Sequence, residues 1–169
     1  NTSSSSVIIT YNATVTITDD EARPSVSLSS SASTVSEGDG TLILTATQSL
    51  MSAADTLVSL RRSDNSTADN GSDYTLGSLI TISAGSLSGN VTLSLIDDNT
   101  TEPSESIVVD ISSVTGGNGA SENGTQQASI TLTDNDPVPA VSLSVSPSSL
   151  SENGGSVTLT ASLDRVASS

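Results

Sequence analysis

The chain has 169 residues, with 19 Asp and Glu against four arginines and no lysine, for a formal net charge of -15. A surface this acidic repels phosphate backbones and anionic lipid, which argues against nucleic-acid and membrane-surface binding. Cysteine and histidine are absent, which removes disulfides, the preferred zinc ligands and any histidine-based nucleophilic triad.

Nothing after Asn1 reads as a signal peptide, and no apolar run approaches the ~20 residues of a membrane span. The expectation is a chain whose signal was removed, or an excerpt of a longer one. Tyr11 and Tyr74 are the only aromatic residues. The core must therefore come from Val, Ile, Leu and Ala. Serine and threonine are abundant, yet the apolar periodicity argues against disorder.

Taken in order, the first 21 residues contain one alternating run, Val15-Thr16-Ile17-Thr18, before Asp19-Asp20-Glu21. Further strands are predicted from Thr41 to Thr47, Thr56 to Leu60, Leu79 to Ser83, Asn90 to Ile96, Ser106 to Ile111 and Ala128 to Thr133. Most alternate apolar and polar residues with period two. Turn clusters such as Asp69-Asn70-Gly71 and Gly116-Gly117-Asn118-Gly119 separate them. No segment has helical periodicity. Short strands at this spacing predict an all-β, antiparallel β-sandwich.

The chain also repeats itself. Val15-Thr16-Ile17-Thr18-Asp19 matches Ile130-Thr131-Leu132-Thr133-Asp134 at an offset of 115 residues. The same offset relates Val26-Ser27-Leu28-Ser29 to Val141-Ser142-Leu143-Ser144, Ser36-Glu37 to Ser151-Glu152, and Leu44-Thr45-Ala46 to Leu159-Thr160-Ala161. A period of this length is an ordinary domain size. The expected organisation is the last strand of one repeat (1–21), a complete repeat (22–136) and the first strands of the next (137–169). Pro24, Pro137 and Pro139 fall at the junctions, where a stiff linker would sit.

Acids gather beside the turns. Asp97, Asp98, Glu102 and Glu105 place four carboxylates in nine residues, directly after the run Asn90 to Ile96 and with no basic residue nearby. Like charges at a strand end repel unless a cation joins them. A hard cation held by oxygen fits, and calcium takes six to eight such ligands. Further acids stand at Glu37 in Ser36-Glu37-Gly38, at Asp73 in Gly71-Ser72-Asp73-Tyr74, and in Asp134-Asn135-Asp136.

The pieces S-E-G-D-G, S-T-A-D-N-G-S-D-Y-T, I-D-D-N-T-T-E-P-S-E-S-I and T-L-T-D-N-D follow one another over residues 24–136. In this order they closely resemble the Calx-beta domain, found in sodium–calcium exchangers, integrin β4 and large microbial surface proteins. The resemblance implies an immunoglobulin-like sandwich of about seven strands with calcium at one end. Carried over by position, the implied ligands are Glu37, Asp73, Asp97, Asp98, Glu102, Glu105, Asp134 and Asp136. The chain departs from the family at Asn135, which lowers the charge of the triplet but still offers a carbonyl oxygen.

These readings predict a non-catalytic, calcium-binding structural repeat that stiffens a long extracellular adhesin, stalk or filament. Its partners would be neighbouring repeats. Three rivals accompany it. The first is a calcium-dependent adhesive module that binds carbohydrate or protein directly, although binding hot spots favour aromatics that are scarce here. The second is a filament subunit that donates strands to other copies. The third is a calcium sensor like the exchanger domains. Glycoside chemistry by a carboxylate pair such as Asp97 and Glu102 lacks an aromatic platform for a sugar. Tyr74 is expected in the core or at a strand edge, and Arg61-Arg62 as a solvated strand end. Sequons at Asn1, Asn12, Asn65, Asn70, Asn90, Asn99 and Asn123 permit glycosylation without proving it.

Overall fold

The computed structural model describes residues 14–16, 18 and 20–165. The strand expected within residues 1–21 lies largely outside them. Alternating Val, Leu, Ile and Thr suits a half-buried pleat, and the six strands predicted between Thr41 and Thr133 form at those places, together with others that the sequence reading does not predict. They are β1 (Ser25–Ser30), β2 (Thr34–Ser36), β3 (Thr41–Gln48), β4 (Thr56–Arg62), β5 (Tyr74–Leu76), β6 (Leu79–Ile82), β7 (Ser88–Leu95), β8 (Glu105–Gly116), β9 (Ser121–Glu122), β10 (Gln127–Thr133), β11 (Val141–Ser146) and β12 (Thr158–Leu163). A single 3-10 turn, Glu37–Asp39, follows β2.

Two five-stranded sheets face each other, in the orders β5-β7-β3-β1-β9 and β2-β10-β8-β4-β6. A seven-strand frame appears when β1 and β2 are read as one strand divided between the sheets and β5 and β9 as short additions. The purely antiparallel expectation needs correcting at two places. β1 pairs with β9, and β2 with β10, in parallel. Both parallel pairs follow from the crossing at Ser31–Ser33, which hands the chain from one sheet to the other.

The core lies between the sheets and is aliphatic, as the composition requires. Leu42, Leu44 and Ala46 of β3, Ile80 and Ile82 of β6, Ile107, Val109 and Ile111 of β8, and Ala128, Ile130 and Leu132 of β10 are all buried. The alternate residues of β3 and β10 face outward or are only half-buried. Tyr74 is fully buried among them. One end of the sandwich receives the ends of β2, β7 and β10 and the start of β8. That geometry gathers every acidic turn predicted from sequence at a single pole.

Strands β11 and β12 form a separate antiparallel hairpin. Its pairs Val141↔Leu163, Leu143↔Ala161 and Val145↔Leu159 stand 115 residues beyond Val26↔Gln48, Leu28↔Ala46 and Ser30↔Leu44 of β1–β3. One face carries Val141, Leu143, Val145, Leu159 and Leu163, each 49–72% exposed. The counterparts Val26, Leu28 and Leu44 are buried in the sandwich.

Candidate metal centre

Parallel pairing sets the first acidic residue in place. Ser36 of β2 pairs with Thr133 of β10, so Glu37 and Asp134 leave their strands side by side. The 3-10 turn that carries Glu37 is held by the Ser36 N–H, which donates to Asp39 Oδ2 at 2.7 Å. Asp98 sits in a turn closed by the Thr100 N–H donating to its Oδ1 at 2.6 Å, an arrangement typical of Asp in turns. Asp136 is positioned by its own N–H, which donates to Asp134 Oδ1 at 2.7 Å.

Glu37, Asp98 and Asp136 converge, each with a carboxylate oxygen within 4.8 Å of the others. Glu37 is only 5% exposed, and Asp136 Oδ2 is buried with no hydrogen-bond partner. A buried carboxylate oxygen without a partner is costly unless a cation or water meets it.

A second trio, Asp73, Glu102 and Glu105, meets the same 4.8 Å condition. Asp73 ends a tight turn in which the Asp69 N–H donates to its Oδ2 at 2.6 Å. Its carbonyl accepts from the Ile96 N–H at 2.9 Å, which fastens the turn to the end of β7. Glu105 opens β8 opposite Leu132 of β10. The Glu102 N–H donates to Asp134 Oδ2 at 2.9 Å.

Of the eight residues predicted from sequence, six fall into these trios. The remaining two brace them. Asp134 accepts from a backbone N–H of each trio, one at each oxygen. Asp97 Oδ1 accepts from the Asn135 side-chain amide at 3.0 Å. A side chain at Gly38 would crowd that amide, with its Cβ 2.8 Å from Asn135 Nδ2.

The electrostatics record the crowding. Burial, and then repulsion from Asp134, Asp98, Glu102 and Asp136, push the Glu37 carboxyl up to about 7. Glu105 is also pushed up to about 7, first by burial and then by its contact with Asp73. Burial and neighbouring carboxylates raise Glu102 and Asp136 as well. Asp73 moves the other way. Burial opposes its charge, but hydrogen bonds from Asp69, Ser72 and Glu105, helped by the Arg62 guanidinium, outweigh it. Without a cation, the Asp73–Glu105 pair therefore holds its proton on Glu105.

Arg62 is a site residue that sequence reasoning missed. It was expected as part of a solvated strand end. Instead it donates to Ala68 O at 3.0 Å, to Ser66 O at 2.8 Å and to Asp69 Oδ1 at 3.1 Å, organising the loop that leads to Asp73. Its neighbour Arg61 pairs with Asp110 at 3.0 Å. The available signal was the position of both arginines at the end of β4, ahead of an acidic turn.

Known proteins agree with this architecture. The apo form of the Calx CBD1 domain superposes with a TM-score of 0.55 at 18% identity, covering 66% of this chain and 98% of that one. CBD12 from CALX1.2 gives 0.56 at 17% identity, covering 68% of this chain and 46% of its own. The calcium binding domain CBD12 of CALX1.1 gives 0.53 at 18% identity, covering 67% and 47% respectively. At these identities the likeness speaks for the fold. No curated protein matches the chain. The family model of the Calx-beta domain matches residues 19–136, most of the chain, and the chain belongs to that family.

Proposed function

We propose that the acidic pole binds calcium at two places. Glu37, Asp98 and Asp136 hold one ion, and Asp73, Glu102 and Glu105 hold the other. The observation that carries this reading is the convergence of two carboxylate trios from separate loops, one of them containing a buried, unpartnered oxygen. The donor set suits the ion, because it is all oxygen, without nitrogen or sulfur. Bound calcium supplies positive charge where carboxylates otherwise repel, and so ties together loops distant in sequence. Extracellular modules of this kind work at roughly 10⁻⁴–10⁻³ M calcium.

The module is structural rather than catalytic. It serves as one repeat of an extracellular array, in which residues 137–169 open the following repeat. The 115-residue offset between the β1–β3 and β11–β12 pairings supports that organisation. Asp136 belongs to the first trio and directly precedes Pro137, whose carbonyl accepts from Thr101 Oγ1 at 3.0 Å. Calcium there stiffens the junction and lets the array project what it carries.

Thermal unfolding in chelator and then in millimolar calcium tests the binding. The midpoint rises by roughly 10 °C for each site held well above its dissociation constant, and an unchanged midpoint sinks the reading. Limited proteolysis across residues 137–140 tests the clamp, and calcium slows it.

A further inference from the structure

An asparagine side chain closes most readily on the next backbone nitrogen when glycine follows, because glycine puts no side chain in the way. The chain contains four Asn-Gly steps, at Asn70, Asn118, Asn123 and Asn153. The fold treats them differently. Gly71 N donates to Tyr74 O at 2.7 Å, Gly119 N to Gly116 O at 3.0 Å and Gly154 N to Ser151 O at 3.3 Å. Gly124 N has no acceptor among the described residues. A nitrogen engaged as a donor must leave its acceptor before it can attack. Gly124 N is under no such restraint.

Local sequence does not account for the difference. Ser121-Glu122-Asn123-Gly124 and Ser151-Glu152-Asn153-Gly154 are the same four residues. Asn123 and Gly124 are both exposed. Gly124 has a φ of 67°, and nothing lies within 4 Å of where a Cβ would stand. The Asn123 side-chain amide donates only to Ser27 Oγ, at 3.5 Å, the limit of a hydrogen bond.

The surroundings give this step a structural consequence. Residues 121–126 clip the free edge of β1. Glu122 of β9 pairs with Val26, and Asn123 N donates to Val26 O at 2.9 Å. Gln126 N donates to Glu122 Oε1, and Gln126 Nε2 donates to Asn123 O at 2.6 Å. So held, Gln126 Oε1 accepts from Leu28 N at 3.3 Å. A side chain thus supplies the partner that an edge strand otherwise lacks.

We infer that Asn123 is a self-modifying site whose conversion releases this clip. Gly124 N loses its proton and bonds to Asn123 Cγ. The side-chain nitrogen departs with that proton as ammonia and leaves a cyclic succinimide. Water then opens the ring at either carbonyl, to aspartate or to isoaspartate, and nothing is oxidised or reduced. In isoaspartate the main chain runs through the side-chain methylene. That lengthening displaces Gln126 from Leu28 and opens the edge of β1 to a further strand.

Full-length, unglycosylated chain is incubated at mildly alkaline pH, and conversion at each Asn-Gly step is followed by peptide mass spectrometry. Asn123 is expected to convert about tenfold faster than Asn70 and Asn118, with Asn153 between, and the rates converge in denaturant. Hydrogen exchange at the Leu28 amide becomes about tenfold faster in the converted chain. Asn123→Gln, whose larger ring closes far more slowly, keeps that amide protected through the same incubation. Conversion at Asn123 no faster than at Asn70 and Asn118, the same ranking in denaturant, or a Leu28 amide that exchanges alike before and after conversion overturns the inference.

Discussion

Replacing Glu37 with Gln changes stability in opposite directions depending on calcium. Glu37 is buried among like charges and titrates at about 7 instead of the ordinary 4.5. At pH 8, without metal, it is ionised, and the folded state bears first the cost of burying that charge and then the repulsion from its neighbours. The rise from 4.5 to about 7 corresponds to about 3 kcal/mol. The sign follows from proton counting. Between pH 4.5 and 7 the folded state holds more protons than the unfolded chain, so metal-free stability falls as pH rises through that window and stays low above it. Gln keeps the volume and removes the charge. In chelator at pH 8, Glu37→Gln should therefore raise the free energy of unfolding by up to about 3 kcal/mol, and at pH 4.5 it should change little. In calcium the substitution removes a ligand. The first site then loses most of the about 2.7 kcal/mol that an ion at a hundred times its dissociation constant contributes. Calorimetry of both proteins, with and without calcium, reads the crossover. A variant that is destabilised in chelator at pH 8, or that keeps the full calcium-induced gain, refutes the reasoning.

The other predictions concern neighbouring features. Tyr74→Phe removes a buried hydroxyl that has no partner among the described residues, so stability by denaturant titration should stay level or rise by up to about 1 kcal/mol. Arg62→Gln loses three hydrogen bonds that hold residues 66–69. It should cost about 2 kcal/mol and weaken calcium at the Asp73 trio, read by denaturation and by calcium titration respectively. Calcium affinity should fall as pH drops below 7, because Glu37 and Glu105, both titrating at about 7, then hold protons that must leave before metal binds. Titrations at pH 6 and pH 8 check this, and equal affinities count against ligation by these two residues.

Much of the sandwich is legible in the sequence because each long strand has one apolar face. Leu42, Leu44 and Ala46 alternate with Ile43, Thr45 and Thr47, and that pattern alone places β3. The parallel pairings of β2 and β9 are not legible. Each involves two or three residues with too little pattern to register, and each depends on where a distant strand passes. The acidic turns are legible as a group for the same reason: turns between long strands fall at the sandwich ends. Their division into two trios is not. At Asp134 two backbone N–H groups, from Glu102 and Asp136, point at the two oxygens, whereas Asp136 keeps one buried oxygen without a partner. Such contacts are decided by tertiary placement. Arg62 was hidden likewise, because its partners, two loop carbonyls and the Asp69 carboxylate, are brought to it only by the folding of residues 66–69.

The central claim is that the pole holds two calcium ions through two separate trios. Isothermal titration of chelator-stripped protein at pH 8, beside Glu37→Gln and Glu105→Gln variants, tests it most directly. The account predicts two ions per chain in the native protein and one in each variant. No binding up to 10 mM calcium, well above the roughly 10⁻⁴–10⁻³ M expected of extracellular modules, or two ions retained in both variants, would contradict it.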